Sequence, residues 1–232
     1  MGQRARIEVQ GIGEVGGWQA GPDGPSRGGL VVVQEIFGVN AHMRAVCGRY
    51  AAAGYRALAP ALFDPVERDV QLGYDEAGFE SGRALAASLG FDRAVAIVAA
   101  AAQALAEHDA ASGVGVVGFC WGGSVAFLAN TRLGLPAVSY YGARTMPFLE
   151  EPLRAPMLFH FGARDHAIPA ADIAAHRERL PDAEVHVYDA GHGFNRDVDP
   201  RHHDAASAAL AHARTLAFFA SALRAATPPH PP

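Results

Sequence analysis

The stretch that most constrains this chain is Gly115-Val116-Val117-Gly118-Phe119-Cys120-Trp121-Gly122-Gly123. A continuous apolar, β-branched run of this kind reads as a buried strand. It stops at a glycine, a single thiol follows, and two more glycines lead into Ser124–Ala129, which reads as a helix. A strand that turns into a helix across so few residues needs a buried sheet with helices packed on it. Gly118 and Gly122 suit such a bend, because without Cβ atoms the strand and the helix can pass close together.

The pattern Gly-x-Cys-x-Gly-Gly is the Gly-x-Ser-x-Gly nucleophile elbow with sulfur in the place of oxygen. In that turn the middle residue adopts strained backbone angles, so its side chain stands clear of the sheet. Cys120 then faces the positive end of a helix, a setting that suits an anionic nucleophile. The Trp121 amide points to where an oxyanion would form. The plain alternative is a buried cysteine in an ordinary strand–helix turn.

The rest of the chain alternates in the same way. Short strand-like segments at Ile7–Val9 and Gly17–Ala20 suggest an antiparallel edge, and Gly29–Gln34 is a buried strand. A helix is expected over Ala41–Ala53 with Gly54 ending it, then a strand over Tyr55–Ala59 stopped by Pro60. Residues 60–80 show no period and read as a functional loop. Ser81–Glu107 reads as helix broken near Gly90, with Asp92 capping the second piece. Strands follow at Ala137–Tyr141, Pro156–Phe161 and Glu184–Tyr188, with helices at Pro169–Leu180 and His203–Ala225. This predicts one α/β domain over residues 1–226, a mostly parallel sheet with helices on both faces, and a Pro-rich tail over 227–232.

Composition excludes several functions. The 232 residues are 50% hydrophobic with a formal charge of −5 and no lysine, and no basic face stands out for nucleic acid. Two cysteines, Cys47 and Cys120, fit a reducing compartment and suggest no disulfide. Met1–Ile12 lacks an apolar core of signal-peptide length, and no apolar run approaches the roughly 18–20 residues of a membrane span. These features predict a soluble cytoplasmic protein with no membrane partner, as a monomer or a small homo-oligomer. His202, His203 and His212 lack metal-ligand spacing, so neither a metal nor a cofactor is expected.

Three acid–base candidates fall just after strands, where an open α/β sheet gathers its chemistry. They are Cys120, Asp165 after Met157–Phe161, and His192 after Val185–Tyr188. Taken singly, Asp165 could cap a turn or pair with Arg164, and His192 could be a loop residue. Their order (nucleophile, acid, histidine) is that of α/β-hydrolases. His192 would then move the thiol proton while Asp165 orients the ring. Glu35 follows a wholly apolar strand and should stand near Cys120, where a carboxylate could hold the thiol neutral. The Ile36 amide would be a second oxyanion donor beside Trp121.

Together, Gln34-Glu35-Ile36-Phe37-Gly38, Gly118–Gly123, Gly162-Ala163-Arg164-Asp165 and Gly191–Arg196 resemble the dienelactone hydrolase (carboxymethylenebutenolidase) family. The likeness runs from about Leu30 to Phe219. It implies the α/β-hydrolase fold, a Cys120–His192–Asp165 triad, and a Glu35 that contacts the thiol and helps activate it when substrate binds. It also implies hydrolysis of an enol lactone bearing a carboxylate, with Arg196 as the carboxylate-binding residue. Arg83 is the candidate for a second such arginine, with Tyr74 and Phe37 lining the pocket. Trp121 stands where a smaller aliphatic residue is common in the family. Three alternatives remain at this point: an esterase of neutral esters, a thiol redox or sensing protein, and a binding module without activity.

Overall fold

A computed structural model describes residues 2–108 and 113–225. Among them, eight strands and five α-helices follow one another: β1 (Gln3–Val9), β2 (Gly13–Ala20), β3 (Gly29–Val33), α1 (Ala41–Ala52), β4 (Arg56–Pro60), α2 (Glu76–His108), β5 (Val114–Phe119), α3 (Trp121–Leu133), β6 (Ala137–Tyr140), β7 (Met157–Gly162), α4 (Ala170–Arg179), β8 (Glu184–Tyr188) and α5 (Ala205–Ala225), with one 3-10 turn at Met146–Phe148. The expected tail at 227–232 lies outside the described residues.

All eight strands join one sheet in the order β1-β2-β4-β3-β5-β6-β7-β8. β2 runs antiparallel to both β1 and β4, and every other pair is parallel. The N-terminal segments thus form the expected antiparallel edge, as longer strands than their weak sequence signal suggested. Helices cover both faces, which is why β3 and β5 carry unbroken apolar runs and β7 is apolar apart from the buried His160. Leu30–Val33 are fully buried, as are Val116, Val117, Leu158 and Phe159.

The chain leaves β3 toward β4 on one side and crosses back to β5 on the other. A crevice opens at the carboxyl ends where the strand order reverses in this way. Val33 is paired with Gly118, so Glu35–Phe37 and Cys120 emerge side by side at that edge.

Several local expectations are corrected. Pro60 is the last residue of β4 and not outside it. β6 ends at Tyr140, and Tyr141 turns out of the strand with φ 40°. α2 begins at Glu76, with Asp75 accepting from the Gly78 amide at 2.8 Å. Gly90 breaks α2 with φ 75° and ψ 165°, as expected, but Asp92 caps nothing: its carboxylate takes Arg132 at 2.8 Å. α2 also holds an 18-residue window of mean hydropathy 1.6, long and apolar enough to cross a membrane, against the reading that no such run exists. Here Leu89, Ile97, Val98 and Leu105 of that helix are buried in the protein.

The aperiodic loop after β4 is tied to the loop after β3. The Leu72 amide donates to Phe37 O at 2.9 Å, and Gly38 bridges Gln71. Asn40 caps α1 by accepting from the Met43 amide, and its amide group also donates to Tyr74 Oη at 3.1 Å. These bonds fix the wall beside Glu35.

Candidate active site

The bend after β5 is built by steric necessity. A Cβ on Gly118 would overlap the Gly122 carbonyl, and one on Gly122 would overlap the Gln34 carbonyl. Cys120 sits between them at φ 54° and ψ −121°, a conformation that L-residues avoid unless the surroundings enforce it. Its amide is pinned to Tyr140 O at 3.0 Å, and the Gly123 amide returns to Cys120 O at 2.9 Å. The sulfur therefore projects from the sheet edge at the N-terminus of α3.

Cys120 Sγ lies 3.1 Å from His192 Nε2, and His192 Nδ1 lies 2.7 Å from Asp165 Oδ2. The Asp165 side chain is fully buried, while that of His192 keeps 23% exposure. The other Asp165 oxygen accepts from the Ala167 amide at 2.8 Å, which fixes the carboxylate plane. Burial works against the imidazolium. The Cys120 thiolate and the Asp165 bond outweigh it, and His192 is pushed up to about 10. The three groups from three strand ends thus form one hydrogen-bonded line.

The Ile36 and Trp121 amides have no hydrogen-bond acceptor among the described residues. The Trp121 indole is held in place by stacking between Phe63 and Phe91, with centroids at 5.8 and 5.9 Å. That stack fixes the first residue of α3, whose amide is free.

Glu35 does not hydrogen-bond to the thiol. Its two oxygens take Arg196 Nε at 3.1 Å and Nη2 at 2.9 Å, and both side chains are 1% exposed. The reason is electrostatic. A buried carboxylate needs a full opposite charge, and the planar guanidinium matches both oxygens where a thiol offers one weak donor. Burial opposes the Glu35 charge, but Arg196 prevails and holds it below the ordinary carboxylate range.

Arg196 is likewise not open to a substrate carboxylate. Its third nitrogen reaches Asp199 at 3.4 Å, and its plane lies 4.7 Å from the Tyr74 ring and 5.3 Å from that of Phe37. Phe37 is 1% exposed and packs edge-on against Tyr74 and Phe79. Phe37 and Tyr74 adjoin each other at 4.5 Å and both rest against Arg196; the buried Phe37 does not line an open pocket as expected. Arg83 is exposed and rests over Phe79 at 5.8 Å, with no ion-pair partner among the described residues. Its neighbour Gly82 packs so closely on Ile36 O that a Cβ there would overlap it. A separate cavity of about 300 Å³, bordered by Arg4, Trp18, Arg44 and Asp64, holds none of these residues.

The protein-family model described as "Dienelactone hydrolase family" matches residues 15–223. The chain belongs to the dienelactone hydrolase family. It is 34% identical over 200 residues to a carboxymethylenebutenolidase of Pseudomonas putida, covering 82% of this chain and 84% of that one. A Klebsiella pneumoniae structure assigned as a candidate dienelactone hydrolase superposes with a TM-score of 0.80 at 30% identity, covering 95% of this chain and 99% of that one. A Pyrococcus furiosus esterase shares the fold, with a TM-score of 0.67 at 16% identity, over 96% of this chain and 93% of that one. This dienelactone hydrolase family member is accordingly a hydrolase acting on esters or lactones, on an α/β-hydrolase fold.

Sequence reasoning missed two features of this family member's site. Asp199 joins Arg196 from three residues away, and it also takes His202 at 2.8 Å and Arg201 at 3.1 Å. Tyr141 is the other. Its ring lies edge-on to His192 at 5.1 Å. Only the doubled tyrosine at a strand end hinted at it, and a positive φ at a tyrosine leaves no mark in the letters.

Proposed function

We propose that this hydrolase opens enol lactones and cleaves activated esters by acyl transfer to Cys120. The observation that carries this reading is the line from Cys120 Sγ through His192 to Asp165, at 3.1 and 2.7 Å. The thiolate attacks the carbonyl carbon, and the amides of Ile36 and Trp121 receive the developing oxyanion, at about 3–4 kcal/mol for a donor of this type. His192 passes its proton to the leaving oxygen, then takes one from the water that clears the thioester. Asp165 keeps the imidazole in the tautomer both steps need. Enolate and aryl oxide leaving groups suit a thiolate nucleophile, whose thioester forms readily only from activated acyl donors.

The name of the Pseudomonas putida relative points to a lactone that carries a carboxylate. With Arg196 occupied by Glu35 and Asp199, a cation still open to such a group among the described residues is Arg83. It is exposed on the helix that backs the Ile36 loop. Replacing Arg83 with alanine is expected to raise KM about tenfold for a carboxylated enol lactone, roughly the worth of one charged hydrogen bond. KM for a neutral aryl ester should stay unchanged. Steady-state kinetics on the two substrates checks this. No change for either would favour the neutral-ester esterase, and steady turnover of the enol lactone that is abolished in Cys120→Ala would eliminate the redox reading.

A pH dependence follows from His192. Its folded value is raised to about 10, so the imidazolium persists below that pH and gives up its proton above it. The first-order release of product should fall as pH rises through about 10, because the leaving oxygen then loses its proton donor. A rate that still climbs past that point would show that the imidazolium is not the acid.

A further inference from the structure

The first half of α2 is bare on one side. Gly78 and Gly82 stand four positions apart, so they share one face of the helix. Both have helical backbone angles, and in that state glycine weakens a helix where alanine would strengthen it. Space, not backbone freedom, explains them. A Cβ on Gly78 would lie 2.1 Å from Gly73 O, and one on Gly82 would lie 2.2 Å from Ile36 O. The Gly82 contact falls on the strap that leaves β3 beside the nucleophile.

That strap is met at each carbonyl. Gln34 O faces the elbow, where a Cβ on Gly122 would lie 2.3 Å from it. Glu35 O accepts from Gln34 Nε2 at 3.3 Å, while Gln34 Oε1 accepts from the Leu62 amide at 3.2 Å. Gln34 is fully buried, so its carboxamide is committed at both ends. Phe37 O accepts from the Leu72 amide at 2.9 Å. Ile36 O takes no N–H among the described residues; the backbone of Gly82 meets it instead. Cα–H contacts of this kind recur where backbones approach closely.

Glu35 O and the Ile36 N–H belong to one peptide group. That group is planar, so a bond to its oxygen also sets the direction of its N–H. The same bond polarises the peptide and strengthens the N–H as a donor. Ile36 O is the next carbonyl along, and a displacement there turns the same residue.

We propose that Gly82 and Gln34 are positioning residues for the oxyanion hole: they brace the Ile36 peptide from two sides and aim its N–H at the substrate's carbonyl oxygen. This rests on the Ile36 amide being an oxyanion donor to an acyl group on Cys120. Both residues are buried, and both act through that amide.

The test compares two reactions of one sulfur. Attack on p-nitrophenyl acetate turns the carbonyl oxygen into an oxyanion before nitrophenolate leaves. Attack on iodoacetamide forms the S–C bond as iodide departs, and no oxyanion arises. Gly82→Ala and Gln34→Met should each lower kcat/KM for the ester about ten- to a hundredfold, the scale of a displaced donor, while alkylation of Cys120, followed by mass spectrometry, stays within about twofold. Gly78→Ala makes a similar overlap against Gly73 and should leave the ratio of the two rates unchanged. A variant of Gly82 or Gln34 that slows both reactions alike, or neither, overturns the proposal, and so does Gly78→Ala with the same selective loss. Because Gly82→Ala could fail to fold, Gln34→Met, which adds no bulk, decides the matter in that event. The donor itself is tested apart, with Ile36 replaced by its α-hydroxy analogue, which puts an ester oxygen where the N–H was. An unchanged ester rate there removes the donor reading; a fall there beside an unaffected Gly82→Ala removes only the brace.

Discussion

Replacing Cys120 with alanine is expected to cut kcat/KM for an activated aryl ester by on the order of 10⁴-fold or more, the scale seen when a nucleophile is removed from an intact triad. The fold should survive, because alanine keeps the Cβ and the bend is enforced by Gly118 and Gly122, not by the sulfur. His192→Ala should cost a similar factor, since without the imidazole the sulfur loses its only hydrogen-bond partner among the described residues. The double variant should be no worse than the poorer single one, because groups that act as a unit lose their effect together. Initial rates on the two single variants and the double variant check this. Multiplicative losses would mean that the two residues contribute independently, contrary to the line of hydrogen bonds through His192.

The second large effect concerns stability. Arg196→Met strips Glu35 of its partner inside the protein and leaves Asp199 short of a cation. Breaking one side of a buried ion pair costs about 3–5 kcal/mol. At roughly 2–4 °C per kcal/mol for a chain of this size, the melting temperature should fall by about 6–20 °C. Adding Glu35→Gln to that variant should recover part of the loss, because the uncompensated charge is gone. Thermal melts of the wild type, both singles and the double give the coupling. A fall of less than about 3 °C in Arg196→Met would mean that the pair is not the anchor described. Acid should reproduce the effect. The folded value of Glu35 is lowered from 4.5, so its contribution is complete above that pH and is lost as pH falls toward the folded value. A chain with Glu35→Gln should lack that acid limb.

The pair also shows where the sequence was legible and where it was not. The elbow could be read because its glycines answer a local steric demand: three backbone segments meet where Gly118 and Gly122 lack a Cβ. The positions of Asp165 and His192 could be read because parallel strands end on one edge, and chain order then places their loops together. The partner of Glu35 could not be read that way. Glu35 and Arg196 lie 161 positions apart, and nothing local says whether a buried carboxylate will choose a thiol or a guanidinium. Desolvation decides, and it depends on the whole surrounding wall, including Tyr74 from a loop with no period. Phe37 was misplaced for the same reason, since it is buried against Tyr74 and Arg196. Gly90 was legible as a break in α2, but the role of Asp92 was not, because an arginine 40 positions away claims its carboxylate.

The triad can be tested directly by rapid acid quench of the wild-type enzyme during turnover of p-nitrophenyl acetate, followed by peptide mass spectrometry. An acetyl group on Cys120, labile to hydroxylamine and formed as fast as nitrophenol is released, is the predicted result. Unmodified Cys120 throughout steady turnover, or acetyl carried by Ser124 or another side chain, would contradict the account.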